Sequence, residues 1–256
     1  MTAATQLPGR LSPVLAGATA RRVLTQLRHD PRTIAMLLAV PTVMMILLRY
    51  VLSNALLLNR IAPEYIGVFP FVSMFMVAAV TTQRERARGT LERLMAMPLG
   101  KLDLLAGYGI AFGLMACVQV ALVLVVSLTW LGVALGGSPV PLAVVAVLDA
   151  ILGMACGLFS SAFARTEFQA VQFMPAFVLP QVLLSGLVVP REQMTAVLRW
   201  LSDVLPLSYA VDAMQRIAAS STWTSGIGAD VAVMLAFTVA ALVGGALTLR
   251  RRTPGR

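Results

Sequence analysis

The 256 residues are 59% apolar and 12% charged, with a mean hydropathy of +0.85. A soluble domain carries about 25% charged residues, so this composition excludes an ordinary soluble fold and implies an integral membrane protein. Twenty Lys and Arg stand against eleven Asp and Glu, but the cations gather at one end of the apolar runs, which is a membrane-orientation pattern and not the mark of a nucleic-acid partner.

Residues 1–12 read as a loose tail. From Pro13 to Asp30 the pattern predicts a basic helix, with Leu15, Ala18, Arg22, Leu24 and Leu27 along one face. Such a helix lies in a membrane surface. No apolar core precedes residue 34, so no cleavable leader is read there. Residues 1–33 are therefore expected to be a cytoplasmic tail and interfacial helix. Residues 34–249 form one transmembrane domain, and 250–256 a basic tail.

Apolar length predicts six spans, near 34–52, 64–82, 104–131, 140–163, 168–189 and 231–249, each close to the ~20 residues a bilayer needs. The fold class is all-α. The third span is overlong and is expected to be tilted or frayed. The fourth and fifth are joined by the tight turn Ala164-Arg165-Thr166-Glu167. Pro41, Pro70, Pro175 and Pro180 sit inside spans, where they kink helices. Fifteen Lys and Arg fall in the loops on the N-terminal side and four on the other, which places both termini in the cytoplasm.

Between spans two and three lies the densest block of charge, Arg84-Glu-Arg-Ala-Arg-Gly-Thr-Leu-Glu-Arg-Leu-Met-Ala-Met-Pro98 and on to Asp103. Ionised side chains cost several kcal/mol in hydrocarbon, so this block stands in water or against a partner. Leu91, Leu94 and Met95 share a helical face, with Gly89 before them and Pro98 after, which predicts a short amphipathic helix. Charge and position alone favour a solvated cytoplasmic connector. The other long segment runs from Pro190 to Asp230. Met194, Val197, Leu198 and Leu201 recur at helical spacing, Pro206 breaks the run, and Ala210, Met214 and Ile217 start a second short helix. Both pieces have an apolar face and could dip back into the membrane or lie on its surface.

No catalytic constellation is present. The single histidine rules out a Ser-His-Asp or multi-His metal site within one chain, and no metal site is expected. Gly100-Lys101 lacks the rest of a P-loop, so this chain binds no ATP by that device. Two ionisable groups fall inside spans. Arg49 is near one end and can snorkel. Asp149 lies nine residues into span four, near mid-bilayer, where an acid is protonated, paired or beside water. It is read either as a structural hydrogen bond or as part of a substrate path. Cys117 and Cys156 read as small buried hydrophobes. Gly109-x-x-x-Gly113 and Gly153-x-x-x-Gly157 permit close helix packing.

The 84–98 block resembles the loop between the second and third spans of type-2 ABC export permeases, the daunorubicin-resistance permeases being the nearest subgroup. Leu184-Ser-Gly-Leu-Val-Val-Pro190, followed by Pro206-Leu-Ser-Tyr209-Ala-Val-Asp212-Ala, looks like that family's stretch after span five. His29-Asp30-Pro31-Arg32 is a weaker match, departing at His29. The resemblance implies a permease subunit of an ATP-driven exporter, with the interfacial helix before span one. It implies an ATPase-coupling helix built on Arg84, Glu85, Arg88, Gly89, Thr90, Leu91, Glu92, Arg93 and Pro98. It implies an extracellular gate at Ser185, Gly186, Pro190, Pro206, Leu207 and Tyr209, formed by short re-entrant helices. ATP and magnesium would sit on a separate ATPase, in two copies, beside a second permease subunit in a bacterial cytoplasmic membrane. The cargo would be amphipathic or lipid-like. A proton-coupled carrier using Asp149, or a membrane scaffold without transport, are the other classes open to such a chain.

Overall fold

In a computed structural model of the chain, residues 12–52, 54–90, 100–219 and 223–248 are described. Every regular element among them is helical: α1 (Pro13–Arg28), α2 (Pro31–Val51), α3 (Ala55–Ala87), α4 (Lys101–Val125), α5 (Pro139–Ser161), α6 (Glu167–Leu184), α7 (Ala196–Val204), α8 (Pro206–Ala219) and α9 (Ser225–Thr248). A π-helical turn, Val126–Trp130, extends α4, and a 3₁₀ turn, Arg191–Gln193, precedes α7.

The breaks follow local chemistry. α1 gives way to α2 at Asp30-Pro31, where the Asp30 carboxylate accepts from the Thr33 N–H at 3.2 Å and the Thr33 hydroxyl at 2.7 Å. Pro31 occupies the first helical position, whose N–H needs no partner. Asn54, Ser138 and Thr166 cap α3, α5 and α6 in the same way.

Among the described residues, five helices are long and apolar enough to cross a membrane: α2, α3, the run Leu102–Thr129, α5 and α9. α6 covers the expected fifth span with 18 residues, about 27 Å at 1.5 Å per residue. Glu167, three glutamines and two prolines keep it below that measure. It stops at Leu184, short of 189, because Gly186 takes a φ of +96°. α3 overruns its expected 64–82 at both ends. Its 33 residues span about 50 Å, well beyond a ~30 Å hydrocarbon core. Arg84 and Glu85, read as loop, therefore lie on its last turn, and Arg60 on its second. The excess length of the third span is taken up by the π turn, where the hydrogen-bond ladder slips by one residue.

α3 and α5 form the centre of the bundle and pack most extensively. A Cβ at Gly153 would run into the Phe71 carbonyl oxygen, and one at Gly157 into that of Phe75. The second glycine pair does not act this way: Gly109 has open space beside it. α1 crosses α4, and Gly107 admits Thr19 and Ala16 there. The buried face of α1 is Ala16, Thr19, Ala20, Val23 and Leu27. It is rotated from the expected one, leaves Ala18 exposed, and is spent on protein. Both cysteines are free; Cys156 is buried, but Cys117 is on an exposed face of α4, contrary to expectation.

Candidate functional site

Two polar regions sit at opposite ends of the bundle. The basic end holds α1, the start of α2 and the end of α3. There Arg88 caps α3 and Gly89 turns the chain with a φ of +67°, a conformation that costs a β-branched residue heavily. Arg84 forms a two-pronged bond to Glu167, with both N···O distances at 3.1 Å, and reaches Asp30 at 3.7 Å. It thereby ties the end of α3 to the starts of α6 and α2. All three side chains are more than a third exposed, so each bond is worth at most about 1 kcal/mol. Its value is registration. Gln26, His29, Asp30, Arg84, Arg88 and Thr90 border a cavity of about 390 Å³. Leu91, Glu92, Arg93 and Pro98 lie outside the described residues, which resume at Gly100.

Glu85 has a different setting from its neighbours. Its side chain is buried, and it accepts from Arg22 of α1 at 3.0 Å and from the Tyr108 hydroxyl of α4. Arg22 also reaches the Tyr108 oxygen at 3.4 Å. The triad faces inward and clamps α1 across the two helices that flank residues 88–100. Asp103 adds a second tie, accepting from the Ser12 N–H at 2.6 Å and the Gly100 N–H at 3.0 Å. Sequence patterning did not single out Arg22 or Tyr108 as partners. Arg22 stood on the nominally apolar face of α1, and that mismatch was the available signal.

The far end is organised by Arg191, which sequence reasoning also missed. Its guanidinium bonds both Asp203 of α7 and Asp212 of α8. Burial lifts the Asp212 carboxyl above the usual carboxylate range even against this guanidinium. Ser202 donates to the Leu184 carbonyl at 2.7 Å and sits 3.0 Å from the Ser208 hydroxyl, joining α6, α7 and α8. Of the residues expected at a gate, Ser185 is buried and ends α6, Gly186 supplies the positive φ, and Pro190 opens the 3₁₀ turn. Pro206 and Leu207 are buried at the start of α8, and the Tyr209 hydroxyl donates to the Asp203 carbonyl at 2.7 Å. These six lie along the run from the end of α6 to the first turn of α8, which the bonds of Arg191 and Ser202 tie into a knot. α7 is only nine residues long, and its Val197, Trp200 and Val204 stay exposed.

Inside the bundle, Asp149 is fully buried and neither carboxyl oxygen has a hydrogen-bond partner. Arg49, by contrast, donates to the Leu131 and Leu52 carbonyls at 3.2 and 3.4 Å, where the α4 extension and α2 end.

Residues 15–218 match the ABC-2 type transporter family. The chain is 26% identical over 157 residues to the probable multidrug ABC transporter permease YbhR of Escherichia coli, which covers 61% of this chain and 43% of the relative. It is 26% identical over 181 residues to the linearmycin resistance permease protein LnrN of Bacillus subtilis, covering 70% and 47%. It is 24% identical over 164 residues to the ABC transporter G family member 20 of Dictyostelium discoideum, covering 64% and 22%. The chain thus spans less than half the length of each of these relatives. With apolar helices throughout and a family match across most of its length, this multi-pass membrane protein belongs to the ABC-2 type transporters, as a type-2 ABC permease.

Proposed function

We propose that the chain is the membrane-spanning subunit of an ATP-driven exporter, moving an amphipathic or lipid-like cargo across a bacterial cytoplasmic membrane. Both termini and the basic end face the cytoplasm, and α6 completes a set of six spans. Two copies of a separate ATPase hold ATP and magnesium, and a second permease subunit completes the pathway against apolar faces such as that of α2, where Met36, Val40 and Leu47 are exposed. The carrying observation is the end of α3. It projects past the expected span, ends in Arg88 and the positive-φ Gly89, and is braced by Arg84 to α2 and α6. A rigid lever of this kind passes a push on residues 84–103 into three spans at once. Arg84, Arg88, Gly89 and Thr90, with Leu91, Glu92, Arg93 and Pro98 beyond them, are the contact with the ATPase; Glu85 holds the lever internally. The knot at Ser185, Gly186, Pro190, Pro206, Leu207 and Tyr209 closes the outer side.

The test is co-purification with the ATPase and cargo-stimulated ATP hydrolysis in liposomes. Gly89→Val forces a β-branched residue into a left-handed conformation, at about 1–3 kcal/mol, and Glu92→Arg inverts a charge at the contact. Both are expected to abolish stimulation while the spans stay folded. Wild-type assembly and stimulation in both variants would reduce this segment to a connector.

A further inference from the structure

Asp149 sits ten residues into α5, about 15 Å along its axis, which is as far from water as a helix of that length allows. An ionised carboxylate without a partner costs several kcal/mol in such a place. The form compatible with this burial is the neutral acid. Its surroundings also show where a proton could go. A Cβ added to Gly67 of α3 would lie 3.5 Å from Asp149 Oδ2, and it would collide with Met214 of α8. Asp149, Gly67 and Met214 therefore meet at one point, where α3, α5 and α8 join.

One turn further out on α3, about 4.5 Å along the axis, is Glu64. It too is buried, and its side chain hydrogen-bonds Gln215. Gln215 follows Met214 on α8 and borders the far-end cavity of about 330 Å³, together with Arg191, Asp203, Asp212 and Arg216. Polar groups thus run from that cavity through Gln215 to Glu64, one helical turn from the Gly67 that faces Asp149. The Met214 side chain lies over Gly67 beside Asp149; it is unbranched and among the most easily rearranged in a core.

We propose that Asp149 is a proton-binding site served from the far end through Gln215 and Glu64, with Met214 as the side chain that closes the way. With Met214 over Gly67, the acid is dry and holds its proton. When Met214 swings aside, a water enters, and the Asp149 O–H donates its proton through that water to the Glu64 carboxylate. Asp149 is left as the anion and Glu64 as the acid, which then releases the proton to cavity water beside Gln215, whose amide holds the Glu64 carboxylate in place. No electrons move, and the reverse sequence reloads the site. The charged and titratable groups bearing on this step are Cys156 on α5 itself, Arg60, Glu64 and Tyr65 on α3, Asp212 and Arg216 on α8, Asp230 of α9 paired with Arg216, and Arg191 against Asp212. α8 packs on α3 and α5 at this point, so any movement of α8 also sets the access of water to Asp149.

The proposal uses the membrane reading but no ATPase, and its test is made without ATP. The full chain in lipid nanodiscs is transferred to deuterated buffer at neutral pH, and the protonated-carboxyl C=O band is followed by infrared spectroscopy. A slowly exchanging band that disappears in Asp149→Asn, and shifts in Asp149→Glu, is expected. Glu64→Gln should slow its exchange about tenfold, the equivalent of one lost hydrogen-bonded step. Met214→Ala should speed it by a similar factor, whereas Met214→Leu, which keeps the volume, should leave it near wild type. No protonated band assignable to residue 149 would overturn the site. A band whose exchange ignores both Glu64→Gln and Met214→Ala would overturn the path. Neither result would bear on ATPase coupling.

Discussion

Gly153 and Gly157 set the distance between α5 and α3, because the Phe71 and Phe75 carbonyls occupy the space where their side chains would be. Backbone cannot retreat as a flexible side chain can, so overpacking here is expected to cost about 1–3 kcal/mol. Gly157→Val should lower the thermal midpoint of the detergent-solubilised protein clearly, and Gly109→Val should leave it near wild type. Equal midpoints for the two would contradict the packing. Asp30 acts at the same scale. Hydrogen bonds from the Thr33 hydroxyl and N–H hold its carboxyl below the usual carboxylate range. A depressed folded-state value stabilises the fold above the unfolded Asp value of about 3.9, and that contribution is lost as pH falls through the folded value. Asp30→Ala should cost about 1 kcal/mol at neutral pH as a lost cap. Asp30→Asn should retain the cap and flatten the acid limb of the stability profile, which a pH series of denaturation midpoints would reveal.

At the scale of elements, α1 is fastened to the bundle by charge as well as by its apolar face. Arg22 and Glu85 are 63 residues apart and Tyr108 a further 23 beyond Glu85, so the triad closes a large loop of chain around residues 88–100. Removing one member leaves the others buried and partly unpaired, at about 1–3 kcal/mol. Glu85→Arg should raise hydrogen exchange along α1 by about a factor of ten or more. The double variant Arg22→Glu/Glu85→Arg should recover part of that protection, because the pair is restored with its direction reversed. Protection of α1 that is unchanged by Glu85→Arg would mean that the helix is held by its apolar face alone. The apolar stripe expected for α1 was only partly legible. A short amphipathic helix shows that it has a buried face, but Arg22 could be placed only once its partners on α3 and α4 were known.

At the scale of the whole molecule, the bundle separates two polar ends by the length of its spans, and a six-span topology would assign fifteen of the twenty Lys and Arg to the loops of one side. Reporter fusions at Gly100 should read cytoplasmic, and those at Ser138 and Thr222 external. A cytoplasmic signal at Thr222 would mean that α6 does not cross and would leave an odd number of spans. That outcome would contradict the placement of α8 beside the start of α3, where Glu64 bonds Gln215, away from the Arg84 end.

The sequence by itself determined the class, the helices and most of their breaks. These are local properties: apolar length, a Pro at a first turn, an Asp, Asn, Ser or Thr cap, a Gly where the backbone must turn. Hydropathy alone located α2 and α5 closely and missed the first six residues of α9. It misjudged α3, because Asn59, Arg60 and Glu64 interrupt the apolar run at one end and Gln83, Arg84, Glu85 and Arg86 at the other, yet both stretches are helical. Tertiary structure alone decided which way each helix faces. A span that is apolar on every side carries little periodic signal, so nothing local said that Gly153 meets Phe71 while Gly109 meets nothing. The same holds for Glu85, which reads as one charge among many in a basic block and turns inward only because Arg22 and Tyr108 arrive from distant parts of the chain. Asp149 was visible as an anomaly from the start. That it looks toward Gly67 and Met214, one turn from Glu64, follows from the rotation of α5 about its axis, which is fixed by the glycine notches that seat it on α3.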